Sequence, residues 1–342
     1  MYPVTFPGLG LSFQLDRVAF TVFGKEIYWY GVIIALGFLL GTAYAIRRAK
    51  HFGVNPEHIM DVLLYAVPIG IICARAYYCI FYWDLFRDDP VSCLYIWEGG
   101  LAIYGGAIGG VLTVIVYCLC RKEKVGAFLD TMAPGLLIGQ IIGRWGNFVN
   151  QEAYGRETEN FLRMGLADAA GRYAYYHPTF LYESLWNLAG LIILHLWAKK
   201  RRWDGELFAM YVAWYGLGRA WIEGLRTDSL YLFSTGIRVS QLLAIASCII
   251  ALSLLAYHRL GRKHRPEDLL VNRVAAAKTA EAQAAEAQAA EAQSAAEVKQ
   301  TETEQKDNET DRAEETAAVS EEQGEAQTAP ETAGQEQGEE TL

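Results

Sequence analysis

The sequence predicts an all-α polytopic integral membrane protein of about seven transmembrane helices, N-terminus outside and C-terminus cytoplasmic, followed by a disordered acidic tail. Three observations lead there. Apolar runs of about 20 residues, the length that crosses about 30 Å of hydrocarbon, recur through residues 1–265. Lys and Arg gather in alternate connections, and the composition changes abruptly at Pro266.

The averages conceal this division. The 342 residues are 52% hydrophobic and 20% charged, and the mean hydropathy is barely positive. From Pro266 to Leu342 there are 20 acidic and 5 basic residues, net −15, so residues 1–265 carry 19 acidic and 25 basic, net +6. The formal charge of −9 is their sum. It implies neither a soluble acidic enzyme nor a nucleic-acid binder.

The N-terminus, MYPVTFPGLGLSFQLDRVAF, has no basic segment followed by an apolar core and a small-residue cleavage site, so it is not read as a cleaved signal. Aromatic residues alternate with polar ones up to Tyr28, Trp29 and Tyr30, the pattern of an interfacial arm leading into a span. The first span covers 28–46 and is closed by RRAKHFG. The second, 59–82, contains Pro68, an expected kink, and Arg75, and ends in the aromatic group YYCIFYW. A polar loop leads to WEGGLAIYGGAIGG, whose glycines predict a loose or re-entrant approach to the third span. RKEK precedes the fourth span, 126–148, which carries Asp130 and Pro134. A long polar segment, 149–176, follows. The fifth span starts at HPTFLYE, with Pro178 suited to a first helical turn, and stops at KKRR. The sixth holds Arg219 and Glu223, and the seventh runs over 237–257.

Four short segments, RRAK, RKEK, KKRR and HRLGRKHR, contain 14 basic residues, whereas the opposite connections dilute 8 over much longer stretches. Basic residues collect on the cytoplasmic side. That sets the N-terminus outside and Tyr30, Tyr104, Gly143–Gly155 and the residues after Arg219 in the outer half of the membrane. Beyond Pro266, repeats such as EAQAA lack large apolar residues and predict a solvated tail without a core. The domain boundaries are therefore 1–265 and 266–342.

The chemistry concentrates in GRWGNFVNQEAYG, residues 143–155. Gln140, Arg144, Asn147 and Gln151 share one helical face, with Gly139, Gly143 and Gly146 beside them. An arginine within a span is costly and marks a site, although snorkelling to headgroups or pairing with a buried carboxylate is the structural alternative. Arg219, Glu223 and Arg226 form a second polar stripe. Two such arginines suit bidentate binding of phosphate, and a phospholipid headgroup is the obvious phosphate in a membrane. Tyr182, Glu183 and Asn187 add a carboxylate on the fifth span, with His177 at its mouth. His195 reads as packing. No HExxH, GxSxG, Walker loop or zinc spacing occurs, and the six cysteines suggest no disulfide framework.

Gly143, Arg144, Gly146, Asn147, Phe148, Asn150, Glu152 and Gly155 together resemble the signature of prolipoprotein diacylglyceryl transferases. WYG at 29–31, Arg75, WEGGLAIYGG at 97–106, HPTFLYE at 177–183 and YGLGRAWIEGLR at 215–226 extend the resemblance over nearly all of residues 20–250. It implies a bacterial inner (cytoplasmic) membrane enzyme, multi-pass and without a cofactor or metal. Such an enzyme moves the diacylglyceryl group of phosphatidylglycerol onto the lipobox cysteine of a preprolipoprotein signal peptide, releasing glycerol phosphate. By the same resemblance Arg144 and Arg219 hold the phosphate, and Asn147, Asn150 and Gly155 shape the headgroup pocket. Glu152 and Glu223 orient the arginines, Tyr30 faces the cavity, and Arg75 and Arg226 belong to the binding set. Many relatives carry histidine where this chain has Tyr104. A tyrosine of ordinary pKa near ~10 is a poor base at neutral pH, so the thiol's base is left open between Tyr104, Glu152 and Glu223. A lipid-binding or lipid-moving protein using the same arginine-lined cavity without chemistry is the alternative class.

Overall fold

The computed structural model describes residues 2–167, 172–227 and 238–325. The long helices are α1 (Trp29–Ala49), α2 (Pro56–Phe81), α3 (Ile103–Arg121), α4 (Val125–Asn150), α5 (Thr179–Trp197), α6 (Glu206–Ile222), α7 (Val239–Ala256) and α8 (Leu270–Glu325). Six segments among the described residues are long and apolar enough to cross a membrane: Trp29–Phe52, Pro56–Phe81, Ile103–Arg121, Val125–Asn150, Thr179–Lys200 and Val239–Gly261. The chain is thus a polytopic membrane protein. Helix α6, expected as a further span, has 17 residues, begins on Glu206 and is followed by Glu223. It falls short of the other six.

Small residues let the helices approach. On α1 the buried stripe is Gly37, Gly41, Ala45 and Ala49. A Cβ at Gly41 would lie 2.5 Å from the Gly135 carbonyl oxygen of α4, and one at Gly37 would lie 3.3 Å from that of Gly139. Both helices therefore present a small-xxx-small face, the arrangement that brings backbones together where lipid removes any hydrophobic drive between helices. Helices α5 and α6 are locked differently. Trp186 and Trp214 stack at 4.4 Å, and each indole N–H donates to the other's carbonyl, at 3.0 and 2.9 Å. Gly190 and Gly218 leave room for the two rings.

Two fully buried carboxylates inside the bundle are each met by several donors. Asp130 of α4 is fully buried and accepts the Gly205 and Phe208 N–H groups at the start of α6, at 2.8 and 2.9 Å. Glu206, also fully buried, pairs with Arg259 and accepts from the Trp197 indole and the Arg202 N–H. His195, exposed on α5, hydrogen-bonds the Tyr44 hydroxyl of α1 at 2.6 Å. α2 and α4 run through Pro68 and Pro134 without interruption as helices.

Strands were absent from the expectation and are present. β1 (Tyr2–Phe6), β2 (Leu11–Leu15), β5 (Met164–Ala167) and β6 (Tyr173–Tyr176) form an antiparallel sheet in the order β2-β1-β5-β6. β3 (Val18–Val22) and β4 (Lys25–Tyr28) form a separate hairpin. The alternation read as an interfacial arm is that of strands. Val4, Phe6 and Met164 of the sheet are buried with Phe148 of α4 and Phe180 of α5, so the sheet caps the end of the bundle that carries the site.

Of the glycine-rich approach to α3 only residues 99–102 are non-helical; Gly105, Gly106, Gly109 and Gly110, expected in a loose entry, lie within α3. Gly99 and Gly100 have φ of 90° and 69°, and a side chain at Gly100 would strike Arg75 Nη1 at 2.5 Å. The acidic tail departs from expectation. Leu270–Glu325 is one helix, its described side chains beyond Ala275 exposed; Ala, Glu and Gln favour helix locally even where no core forms. The chain divides at Ala275/Ala276 rather than at 265. Leu270 explains the shift, since it packs against the bundle core and its N–H donates to Asp204 at 2.9 Å. Residues 326–342 of the predicted tail lie outside the described residues.

Substituting Gly41→Leu or Gly135→Leu should lower the thermal midpoint in detergent, by an overpacking cost of about 1–3 kcal/mol. Gly110→Ala, with open space around its Cα, should not.

Candidate active site

Helix α4 ends by turning sharply. Gln151 adopts a left-handed conformation (φ 53°) and Ala153 another (φ 56°), a conformation that costs a non-glycine residue about 1 kcal/mol or more. The turn folds Glu152 back over the helix end, where its N–H donates to the Asn147 carbonyl at 3.0 Å. Its carboxylate accepts from Asn147 Nδ2 at 2.9 Å. Asn147 Oδ1 in turn accepts from Arg144 Nη1 at 3.4 Å. The motif is a chain of contacts from Glu152 to Arg144.

Arg144 then meets the centre of the site, Glu183. This carboxylate, 4% exposed, lies 2.5 Å from Arg144 Nη2, 3.1 Å from Arg219 Nη1 and 3.8 Å from Arg226 Nη1. Arg219 extends its other nitrogen to Glu223 at 2.6 Å. Glu223, nearly fully buried, also accepts from Ser240 of α7 at 2.5 Å, while its carbonyl accepts from Arg238. Tyr104, in the first turn of α3, faces the Ser240 hydroxyl with Arg219 and Glu223 in electrostatic reach. Five parts of the chain thus converge. Three guanidiniums surround Glu183, and two of them keep a fraction of their surface open, 20% for Arg144 and 17% for Arg219.

A model of the prolipoprotein diacylglyceryl transferase family matches residues 17–257. The chain belongs to that family. Relatives named phosphatidylglycerol–prolipoprotein diacylglyceryl transferase include one from Bacillus licheniformis, 45% identical over 252 residues (72% of this chain and 93% of the relative). Another from Shouchella clausii is 47% identical over 256 residues (73% and 92%). One from Lactiplantibacillus plantarum is 42% identical over 263 residues (74% and 92%).

In this member of the family, the residues singled out from the sequence separate into groups. Arg144, Asn147, Glu152, Arg219, Glu223, Arg226 and Tyr104 belong to the connected network. Gly155 pairs with Arg226 as an isolated bridge, and its N–H donates to the His177 carbonyl at 2.9 Å. A Cβ there would sit 2.7 Å from that of His177, so glycine is required for this strand to approach the base of α5. Tyr30 lies with its ring against Gly146, where a Cβ would come within 2.9 Å of it. Tyr30, Asn150 and Glu152 line an open cleft of about 710 Å³ together with Arg17, Glu26, Ile27, Tyr28, Gly31 and Gln151.

Arg75 has different partners. Its guanidinium donates to the carbonyls of Cys93, Gly99 and Ser92 at 2.7–2.8 Å and of Gly100 at 3.1 Å, and it is 7% exposed. Four of its five N–H groups hold the loop leading to α3. It positions that loop, and Tyr104 after it. Glu183 is the converse: the sequence offered it as a carboxylate within a span, yet only the assembled structure makes it the hub. Arg238 and Ser240 carried no signal.

His177 sits beside the site with its Nδ1 3.2 Å from Asn160 Nδ2 and 3.4 Å from the Tyr182 hydroxyl. Burial pushes its pKa below the usual histidine value. The unfolded chain therefore takes up the proton first, and the stability linked to this group is complete above the ordinary histidine range and declines as pH falls. Acidification from about pH 7.5 to about 5.5 should lower the melting temperature of the wild-type protein more than that of His177→Gln. Glu183→Ala, which removes the buried carboxylate shared by Arg144, Arg219 and Arg226, should destabilise the fold by about 3–5 kcal/mol, read as a loss of thermal stability in detergent.

Proposed function

We propose that this chain transfers the diacylglyceryl group of phosphatidylglycerol to the cysteine thiol of prolipoproteins, and that the arginine cluster around Glu183 is where the phosphate sits. The observation that carries the reading is the convergence of Arg144, Arg219 and Arg226 on one buried carboxylate, in a family member whose relatives are named for this reaction.

The chemistry follows from the groups present. Thiolate sulfur attacks the glycerol carbon that bears the phosphate ester, an S–C bond forms, the C–O bond breaks, and glycerol phosphate leaves with the electron pair. Charge grows on the phosphate oxygens. Guanidiniums already oriented by Glu183 and Glu223 stabilise it without reorganising at the moment of reaction. The thiol proton must go to a base. Glu223 and Tyr104 stand together beside Arg219 and Ser240, and Glu152 stands at the other end of the Asn147–Arg144 chain, so each of the three remains a candidate. Asn147, Asn150 and Gly155 shape the headgroup pocket, with Tyr30 at its side, and Asn150 and Tyr30 are shared with the adjoining open cleft.

The remaining parts of the reading are topological. α6 is the seventh span, its 17 residues extended by a 3-10 turn at Glu223–Leu225, and at 1.5 Å per residue the helix alone reaches about 25 Å. The site end faces outward. The basic connections and the acidic C-terminal segment face the cytoplasm, in the bacterial inner (cytoplasmic) membrane. The partner is the lipobox cysteine of a signal peptide, met at the outer surface. Passage of lipid without chemistry accounts less well for the fixed network, since transport requires sites weak enough to release.

Purified protein reconstituted with phosphatidylglycerol and a lipobox peptide should release glycerol phosphate and add one diacylglyceryl group to the peptide, as read by mass spectrometry. Arg144→Ala and Arg219→Ala should each lower turnover by at least about a hundredfold, the scale of losing a donor to a developing oxyanion, while leaving the protein inserted in the membrane. Normal turnover in either variant overturns the assigned roles. Lipid binding with no peptide adduct favours the lipid-handling class.

A further inference from the structure

The open cleft beside the arginine cluster is ill suited to the lipid phosphate. Its walls carry Arg17 but also Glu26 and Glu152, and two carboxylates repel an anionic headgroup. Its volume of about 710 Å³ exceeds what one thiol needs. What distinguishes it is a strand edge.

Strand β4 supplies Glu26, Ile27 and Tyr28 to the cleft and pairs only with β3 among the described residues. The hairpin turns at Phe23 and Gly24 with φ of 48° and 78°, the pattern of a two-residue type I′ turn. In such a hairpin the pair next to the turn, Val22 and Lys25, exchanges main-chain hydrogen bonds, and the next pair, Thr21 and Glu26, does not. The main-chain N–H and C=O of Glu26 therefore turn off the outer edge of β4. An exposed edge of this kind is a template for an added strand. Opposite it stands the end of α4, where Asn150, Gln151 and Glu152 form the second wall. Gly31, with nothing within 4 Å of a hypothetical Cβ, leaves the floor open.

The cleft also communicates with the arginines. Glu152 in its wall accepts from Asn147, and Asn147 accepts from Arg144. Glu152 in the cleft wall thus lies two hydrogen bonds from Arg144 of the proposed phosphate site.

We propose that this cleft binds the polypeptide substrate, with the segment around the accepting cysteine extended as an added strand along β4 and its polar neighbours read by Arg17, Glu26 and Glu152. This rests on the proposed transfer for the identity of the peptide. It assigns Arg17, Glu26 and Ile27, none of which belongs to the phosphate cluster, to peptide selection. The alternative occupant, the lipid headgroup, becomes an outcome of the test.

The experiment uses the full chain in nanodiscs containing phosphatidylglycerol. An Ile27→p-benzoylphenylalanine variant is irradiated with a biotinylated lipobox peptide or its Cys→Ser form, with the same photoreactive residue placed at the exposed Leu188 of α5 as control. Both peptides should cross-link at position 27, unlabelled peptide should compete, and position 188 should stay blank. In steady-state assays, Arg17→Glu and Glu26→Lys should raise KM for the peptide by about tenfold, equivalent to about 1.4 kcal/mol of binding, with KM for phosphatidylglycerol unchanged. Cross-linking to lipid alone, or a change in lipid KM with peptide KM unaltered, overturns the proposal. Wild-type transfer without any cross-link and with unaltered KM values also overturns it and leaves the transferase intact. Competable peptide cross-linking in a protein that transfers nothing overturns the transferase and keeps the peptide site.

Discussion

A carboxylate removed from water among three arginines is the constraint on which the site end of this protein depends. Glu183 is 4% exposed and lies within 4 Å of guanidiniums from α4, from α6 and from the strand after it. None of these charges is tolerable in hydrocarbon alone. Glu183 is satisfied only when the arginines from these separate parts of the chain are in place, so the helices must reach one register together. The cluster thereby acts as an assembly device as well as a reservoir of positive charge.

Around that constraint the bundle is built from close approaches. Gly37 and Gly41 on α1 face Gly139 and Gly135 on α4, which brings the Tyr30 ring against Gly146 and fixes α4's polar face toward α5 and α6. Reciprocal indole-to-carbonyl bonds between Trp186 and Trp214 hold α5 to α6, the pair that presents Glu183 and Arg219 to each other. At the opposite end Asp130 and Glu206 fasten the start of α6. Rigid supports at both ends keep the guanidiniums from relaxing onto other partners, which is what preorganised electrostatic stabilisation requires.

The two arginines that look alike in sequence have different work. Arg75 and Arg144 both interrupt apolar runs, and the general rule marks both as functional. Arg75 uses its fork to gather carbonyls from a loop in which Gly99 and Gly100 have positive φ. Arg144 uses its fork on side chains and remains partly open. Residue type and depth in the membrane are common to both; the partner atoms differ, and those come from distant parts of the chain.

Hydropathy, the alternation of basic segments and the spacing of Arg144, Asn147 and Glu152 were readable without coordinates, because each depends on local composition or on helical period. The apolar spans and the network residues on α4 and α6 follow from them. The strands at the end of the bundle were not, since their alternation is short and sits in segments also rich in aromatic residues. In Leu270–Glu325 the absence of a core was legible, and the Ala and Glu content supports the helix that the segment adopts. What only the tertiary structure decided is which charges meet. Glu183, Arg238 and Ser240 join Arg144 and Arg219 across gaps of tens of residues, and residues of β4 and of the end of α4 come to line one cleft. Such meetings depend on how helices pack and where the chain turns between them, and no periodicity within one segment encodes them.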